Sequence, residues 1–290
     1  MYKIKTLQTR GSQHELRCED DFLVYEDERY IIASVFDGCS SGFRSDIASY
    51  NHTQILYEAI DDLSEYKNHI SNINDFHLYS EKFLNLNWNE NVSKTLLYKV
   101  YDKIFDEKFK IGEEMLSTVL LLVINKETGQ FEITFCGDGV SFIKVFDEHE
   151  GEYTNVHDPE GGKVWYLSTA YDSHYKECGI RRNNSLPLNA PGNKCKTFLQ
   201  CFEEYYKECY IIKGDLFETI CISTDGIDTF KNKYGQLVDS RDYFCKNKKF
   251  DNLDNQLKRL YNIFTKGFTE SKMPCMNFDD FTMIKVENIQ

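Results

Sequence analysis

Ile31-Ile32-Ala33-Ser34-Val35-Phe36-Asp37-Gly38 is an apolar run that ends on a carboxylate followed by glycine. Its length and β-branched content read as a strand. Two further strand-like runs end the same way, Phe131 to Gly139 (FEITFCGDG) and Thr219 to Gly226 (TICISTDG). A fourth starts just after paired aspartates, in Asp279-Asp280-Phe281-Thr282-Met283-Ile284. A carboxylate at a strand end points into the cleft that the sheet edge forms. The glycine after it permits a sharp turn and a close backbone approach. Oxygen ligands gathered in this way, with no His/Cys cluster, suit hard divalent cations such as Mg²⁺ or Mn²⁺. Asp-Gly is also an ordinary turn pair, so the recurrence at strand ends carries the reading and no single pair does.

Working outward, Phe22 to Phe36 reads as two strands around the charged turn Glu26-Asp27-Glu28-Arg29. Cys39-Ser40-Ser41-Gly42 turns the chain toward a helix with Leu56, Ala59, Ile60 and Leu63 on one face. A second helix is expected from about Val92 to Phe105, carrying Leu96, Leu97, Val100 and Ile104. Met115 to Ile124, Phe131 to Cys136 and Val140 to Phe146 read as strands, the first two joined by the turn Lys126-Glu127-Thr128-Gly129. From Asp147 to about Asn193 the pattern is polar and broken by Glu160-Gly161-Gly162 and Asn189-Ala190-Pro191-Gly192. That stretch is expected to form an irregular insert or flap, being too long for a bare loop. Gly214-Asp215 turns the chain into the buried strand Thr219 to Ser223. A helix follows from about Asp251 to Phe264, with Leu253, Leu257, Leu260 and Phe264 in register, and Phe281 to Val286 is the closing strand. Antiparallel strand runs with long helices inserted predict an α+β fold of stacked sheets flanked by helices.

The chain has 290 residues, of which 41% are hydrophobic and 28% charged, an ordinary globular balance. Its four prolines and lack of any low-complexity tract mark no linker, so one domain over 1–290 is expected. A net charge of −13 opposes non-specific binding to nucleic acid or to anionic membranes. The longest apolar run, near Val119 to Ile124, is too short to span a bilayer, and MYKIKTLQTR lacks the apolar core of a signal peptide. A cytoplasmic location is expected. The ten cysteines are scattered and form no Cys-x-x-Cys pair, so they read as reduced structural thiols.

Cys18-Glu19-Asp20, Asp37-Gly38-Cys39-Ser40-Ser41-Gly42, Ser117-Thr118, Gly137-Asp138-Gly139, Gly214-Asp215, Ser223-Thr224-Asp225-Gly226-Ile227 and Asp279-Asp280-Phe281-Thr282 follow one another in order. Together they resemble the metal-dependent serine/threonine protein phosphatases of type 2C, the PPM family. The resemblance runs from about residue 10 to 287. Gly11-Ser12-Gln13-His14 before Cys18-Glu19-Asp20 is most similar to a bacterial branch. The resemblance implies a four-layer αββα sandwich, two packed mainly antiparallel sheets flanked by helices. It also implies two Mg²⁺ or Mn²⁺ ions per chain between the sheet edges, with a weaker third in bacterial members.

By that resemblance Asp37 would bridge the two cations, the Gly38 carbonyl would bind one, and Asp225 and Asp279 would complete the other. Asp280 is the register alternative to Asp279. Glu19 and Asp20 would act mainly through metal-bound water or by supporting the site, and Asp138 would hold the third ion with Asp225. Two cations about 3.5–4 Å apart can lower the pKa of a shared water and offset charge on phosphoryl oxygens. The implied reaction is hydrolysis of phosphoserine or phosphothreonine in a phosphoprotein, the product of a serine/threonine kinase. Many members carry histidine after the Asp-Gly pair, whereas this chain carries Cys39. An ungapped match also puts Glu15 where members carry a phosphate-binding arginine, with His14, Arg17 and Arg10 as nearby alternatives. A protonated His14 can donate to phosphate. These departures leave a second reading, a pseudophosphatase acting as a binding or regulatory module. A two-metal nuclease is a third, opposed by the acidic balance.

Overall fold

The computed structural model describes residues 1–14, 17–39, 44–69, 88–106, 115–145, 152–157, 166, 206, 209–246, 255–266 and 275–289. The expected hairpin is present as β2 (Asp20–Glu26) and β3 (Tyr30–Asp37). With β4 (Val119–Asn125), β5 (Phe131–Cys136) and β8 (Tyr210–Gly214) they form one sheet in the order β2-β3-β4-β5-β8. The second sheet has the order β1-β12-β9-β6-β7, from β1 (Tyr2–Thr9), β12 (Phe281–Asn288), β9 (Thr219–Ser223), β6 (Gly139–Lys144) and β7 (Glu152–His157). Every pairing within both sheets is antiparallel.

The runs of apolar residues are continuous because both faces of each sheet are covered. Successive strand side chains point to opposite faces. Ile31, Ala33 and Val35 of β3 therefore join Leu120, Leu122, Ile220, Ile222, Ile284 and Val286 in the layer between the sheets. Tyr30, Ile32 and Phe36 face the other way, into a cluster with Leu56, Ile60, Leu96, Leu97 and Val100. Those helical residues belong to α1 (Ser45–His69) and α2 (Trp88–Asp106). On the far side, Phe142, Cys221, Phe281 and Met283 pack with Leu257, Leu260 and Phe264 of α3 (Gln256–Thr265). The layers are helices, sheet, sheet, helix, the αββα order expected.

Several boundaries differ from the sequence reading. Residues 115–118 are not part of β4; Ser117 makes an isolated bridge to Gly38 instead. β1 was not anticipated, because MYKIKTLQT is only half apolar and is stabilised by its ladder with β12 from Tyr2↔Asn288 to Thr9↔Phe281. The segment expected to be irregular contains β7, which pairs with β6 along its whole length. An edge strand needs backbone partners on one side only, so the polar sequence EYTNVH serves there. Most of the remaining stretch 147–193, and the expected start of the last helix at Asp251, lie outside the described residues. A small sheet of β10 (Phe230–Asn232) and β11 (Cys275–Asn277) also escaped the sequence reading, since three-residue strands carry no periodicity. Among the described residues no helix is long and apolar enough to cross a membrane.

Candidate metal centre

The acidic residues meet because of strand direction. β3 and β5 end, and β2 begins, at one end of the first sheet. β9 ends, and β6 and β12 begin, at the matching end of the second sheet. The β2/β3 register sets Asp20 opposite Asp37. Asp138 lies where the chain crosses from β5 to β6, between Gly137 and Gly139, whose φ values are 111° and 148°. Those left-handed values favour glycine at both flanks. Asp225 opens the 3₁₀ turn Asp225–Asp228 directly after β9, and Asp279-Asp280 leads into β12.

The glycines after Asp37 and Asp225 allow backbones to close on one another. A Cβ on Gly226 would stand 1.6 Å from the Asp280 carbonyl oxygen. One on Gly38 would stand 2.3 Å from the Ser45 carbonyl oxygen, at the start of α1. Gly38 N–H also donates to the Glu19 carbonyl at 3.1 Å, and Thr118 N–H donates to the Asp37 carbonyl at 2.8 Å. Ser117-Thr118 thus supports the site through the backbone. Ser117 Oγ donates to the Thr118 carbonyl at 2.9 Å.

Repulsion dominates the electrostatics. Burial, then the charges of Asp20 and Asp225, push the Asp37 carboxyl well above the usual carboxylate range; Asp37 and Asp225 are hydrogen-bonded. Burial does the same to Asp20, opposed by the Thr224 hydroxyl that donates to it at 2.8 Å and reinforced by Asp280 and Asp225. Asp225 is pushed up to about 6 by burial and then by Asp138. Glu19 Oε2 is buried with no hydrogen-bond partner. Such a group is stabilised by incoming positive charge. Its donors are hard oxygens, which fit Mg²⁺ or Mn²⁺ and not a thiolate-seeking ion. Among the described residues, no three His, Cys, Asp or Glu side chains are grouped as a preformed cation site.

Asp279 and Asp280 divide their roles. Asp280 is 2% exposed, and its carboxylate accepts from Gly11 N–H at 2.7 Å, from Glu19 N–H, and bonds His14 Nδ1 at 2.7 Å. It ties the N-terminal segment to the start of β12. The Asp279 carboxylate is 48% exposed and lies 3.6 Å from His14 Nε2. His14 Nε2 also lies 4.0 Å from Glu19 Oε2. Burial works to lower the His14 pKa, but the hydrogen bond and charge of Asp280, with Glu19 and Asp279, raise it on balance. Both ring nitrogens therefore face carboxylates.

Of the other basic groups weighed for phosphate, Arg17 pairs with Asp46 at 2.5 Å, while the Arg10 carbonyl accepts from Asn277 Nδ2 at 3.2 Å. Glu15 lies outside the described residues. Two contributors were missed from sequence. Thr224 Oγ1 donates to Asp20 and accepts from Thr282 N–H at 3.1 Å, linking the two sheets. Its place beside Asp225 was the available signal. Tyr166 hydrogen-bonds Cys39, and burial first and that bond second push its phenol up. Nothing local marks Tyr166, which comes from the polar stretch after β7.

Solved structures share this architecture. The phosphatase domain with a regulatory fragment of SpoIIE from Bacillus subtilis matches with TM-score 0.54 at 12% identity, over 99% of this chain and 63% of that one. This chain therefore spans less than two thirds of that chain. The photosystem II phosphatase PBCP matches with TM-score 0.55 at 14% identity, over 100% and 99%. The Mycobacterium tuberculosis serine/threonine phosphatase PstP/Ppp matches with TM-score 0.52 at 13% identity, again over 100% and 99%. At these identities the likeness is one of fold. A comparison with curated protein sequences gives no match. The chain belongs to the protein phosphatase 2C family, whose sequence model matches residues 8–261. That family is metal-dependent and acts on phosphoproteins.

Proposed function

We propose that this protein hydrolyses phosphoserine or phosphothreonine in phosphoproteins at a dinuclear Mg²⁺ or Mn²⁺ site. The observation that carries the reading is the convergence of buried Asp20 with half-buried Asp37 and Asp225, from two sheets, with carboxyl pKa values raised. Asp37, the Gly38 carbonyl, Asp225 and Asp279 would hold the two cations, Asp20 would act through water, and Asp138 would hold a weaker third. When bound, the cations supply charge neutralisation for phosphoryl oxygens and a lowered pKa for water. The chain's own part is orientation: Asp280 and Thr224 hold the acidic strand ends in register, and His14, when protonated, places positive charge 3.6 Å from Asp279. We propose a single domain and a cytoplasmic location with it.

The test is turnover of p-nitrophenyl phosphate and of phosphopeptides with and without Mn²⁺, for wild type, Asp37→Ala and Asp225→Ala. Metal-dependent turnover that falls at least about 100-fold in both variants is expected. Folded wild type without metal-dependent turnover would overturn the enzyme reading. Metal binding without turnover would instead favour the pseudophosphatase, and cleavage of single-stranded nucleic acid alone would favour the nuclease.

A further inference from the structure

Cys136 ends β5, and Cys209 immediately precedes β8. The last rung between these strands is Phe135↔Tyr210, so Cys136 and Cys209 occupy the next opposed position of the same antiparallel ladder. Their sulfurs are 3.6 Å apart and hydrogen-bonded. Directly opposed residues on antiparallel strands lie about 4.5–5.5 Å apart at Cα, within the span that a disulfide bridges. Side-chain rotation alone can then close the gap to a bond. Cys136 is 1% exposed, whereas Cys209 is partly exposed, so the pair is approached from the Cys209 side and the Cys136 sulfur is held against it. A second thiol pair, the hydrogen-bonded Cys221 and Cys245, is buried at both sulfurs and lacks that access.

We infer that Cys136 and Cys209 form a reversible oxidation site, closing to an intrachain disulfide on exposure to hydroperoxide. The Cys209 thiol gives up its proton, its thiolate attacks the peroxide, the O–O bond breaks, and a sulfenic acid forms while the departing hydroxide takes up that proton as one water. The Cys136 sulfur then displaces the sulfenic hydroxyl as a second water, with its own proton. Two thiols and one hydrogen peroxide become one disulfide and two waters, two electrons passing from sulfur to oxygen. The bond staples edge strand β8 to β5 and joins the two ends of the segment that carries Asp138 and Tyr166. It therefore restrains the wall of the acidic end from a point directly beside Gly137-Asp138.

The experiment treats the full-length chain with hydrogen peroxide, blocks remaining thiols by alkylation, and maps the digest by mass spectrometry. A Cys136–Cys209 cross-linked peptide is expected, lost on adding dithiothreitol and accompanied by a reversible rise in Tm of roughly 5 °C. Cys209→Ser should abolish both, and Cys136→Ser should leave a sulfenic acid at Cys209 that dimedone traps. Oxidation or alkylation of Cys209 without the cross-link, or a Tm rise that survives either serine substitution, would overturn the inference. The readouts are mass and Tm, so they stand or fall independently of any phosphatase activity.

Discussion

Removing the Asp280 carboxylate should loosen the whole acidic end. In Asp280→Ala, Gly11 N–H and Glu19 N–H lose their acceptor, and His14 loses its Nδ1 partner. A buried donor left unsatisfied costs about 1–3 kcal/mol, so the two amides together cost about 2–6 kcal/mol. His14 keeps some access to water and adds little. Against this stands relief of repulsion, because Asp280 is one of the charges that push the Asp20 carboxyl up. That relief is worth about 1 kcal/mol at most, given the hydrogen bonds that already neutralise Asp280. The net expectation is a destabilisation of about 3 kcal/mol, and about half that for Asp280→Asn, which keeps one accepting oxygen. Urea unfolding in the presence of a chelator measures this without a metal-binding contribution, through a lowered midpoint at unchanged m-value. Amide exchange at Gly11 and Glu19 should accelerate in the same variants. An Asp280→Ala protein within about 1 kcal/mol of wild type, or more stable, would refute the acceptor role.

Three further outcomes follow from buried groups. His52 is fully buried, its pKa lowered to about 4 by desolvation, with Nδ1 2.8 Å from the Ala48 carbonyl. The unfolded chain binds this proton below about pH 6.5 and the folded chain only below about 4, so its contribution is complete above 6.5 and is lost as pH falls. Wild type should therefore lose about 2 kcal/mol more between pH 7 and pH 5 than His52→Gln does, read from urea midpoints at both pH values. Gly226→Ala forces a Cβ into the Asp280 carbonyl, and a destabilisation of about 3 kcal/mol is expected; a fall below about 1 would contradict the close approach. Glu287 bridges two buried lysines, Lys5 at 2.6 Å and Lys285 at 3.4 Å. Glu287→Gln takes the charged partner from Lys5, while Lys285 keeps the Cys245 carbonyl at 3.2 Å, and should cost about 1.5–3 kcal/mol in thermal or urea unfolding.

The strand alternation, the helix faces and the aspartates at strand ends were legible because each is a local pattern. Ile31 to Phe36 alternates between two buried faces, so a run that is apolar except for Ser34, whose hydroxyl donates to the Leu120 carbonyl, was the correct signature of its position. The short strands β10 and β11, the half-apolar β1 and the polar β7 were not legible. Their stability comes from partners distant in the chain and from edges that tolerate polar side chains.

The acidic residues of the candidate centre divide along the same line. Sequence alone determined that Asp37, Asp138, Asp225 and Asp279-Asp280 sit where strands end or begin, since a turn residue after an apolar run announces itself. Only the tertiary structure decided that Asp280 is the acceptor for Gly11, Glu19 and His14, that Thr224 joins Asp20, and that Cys136 faces Cys209. Those partners are separated by between 73 and 269 residues. Strand register brings them together, and register is a property of the whole sandwich because one slipped residue would turn every buried side chain outward.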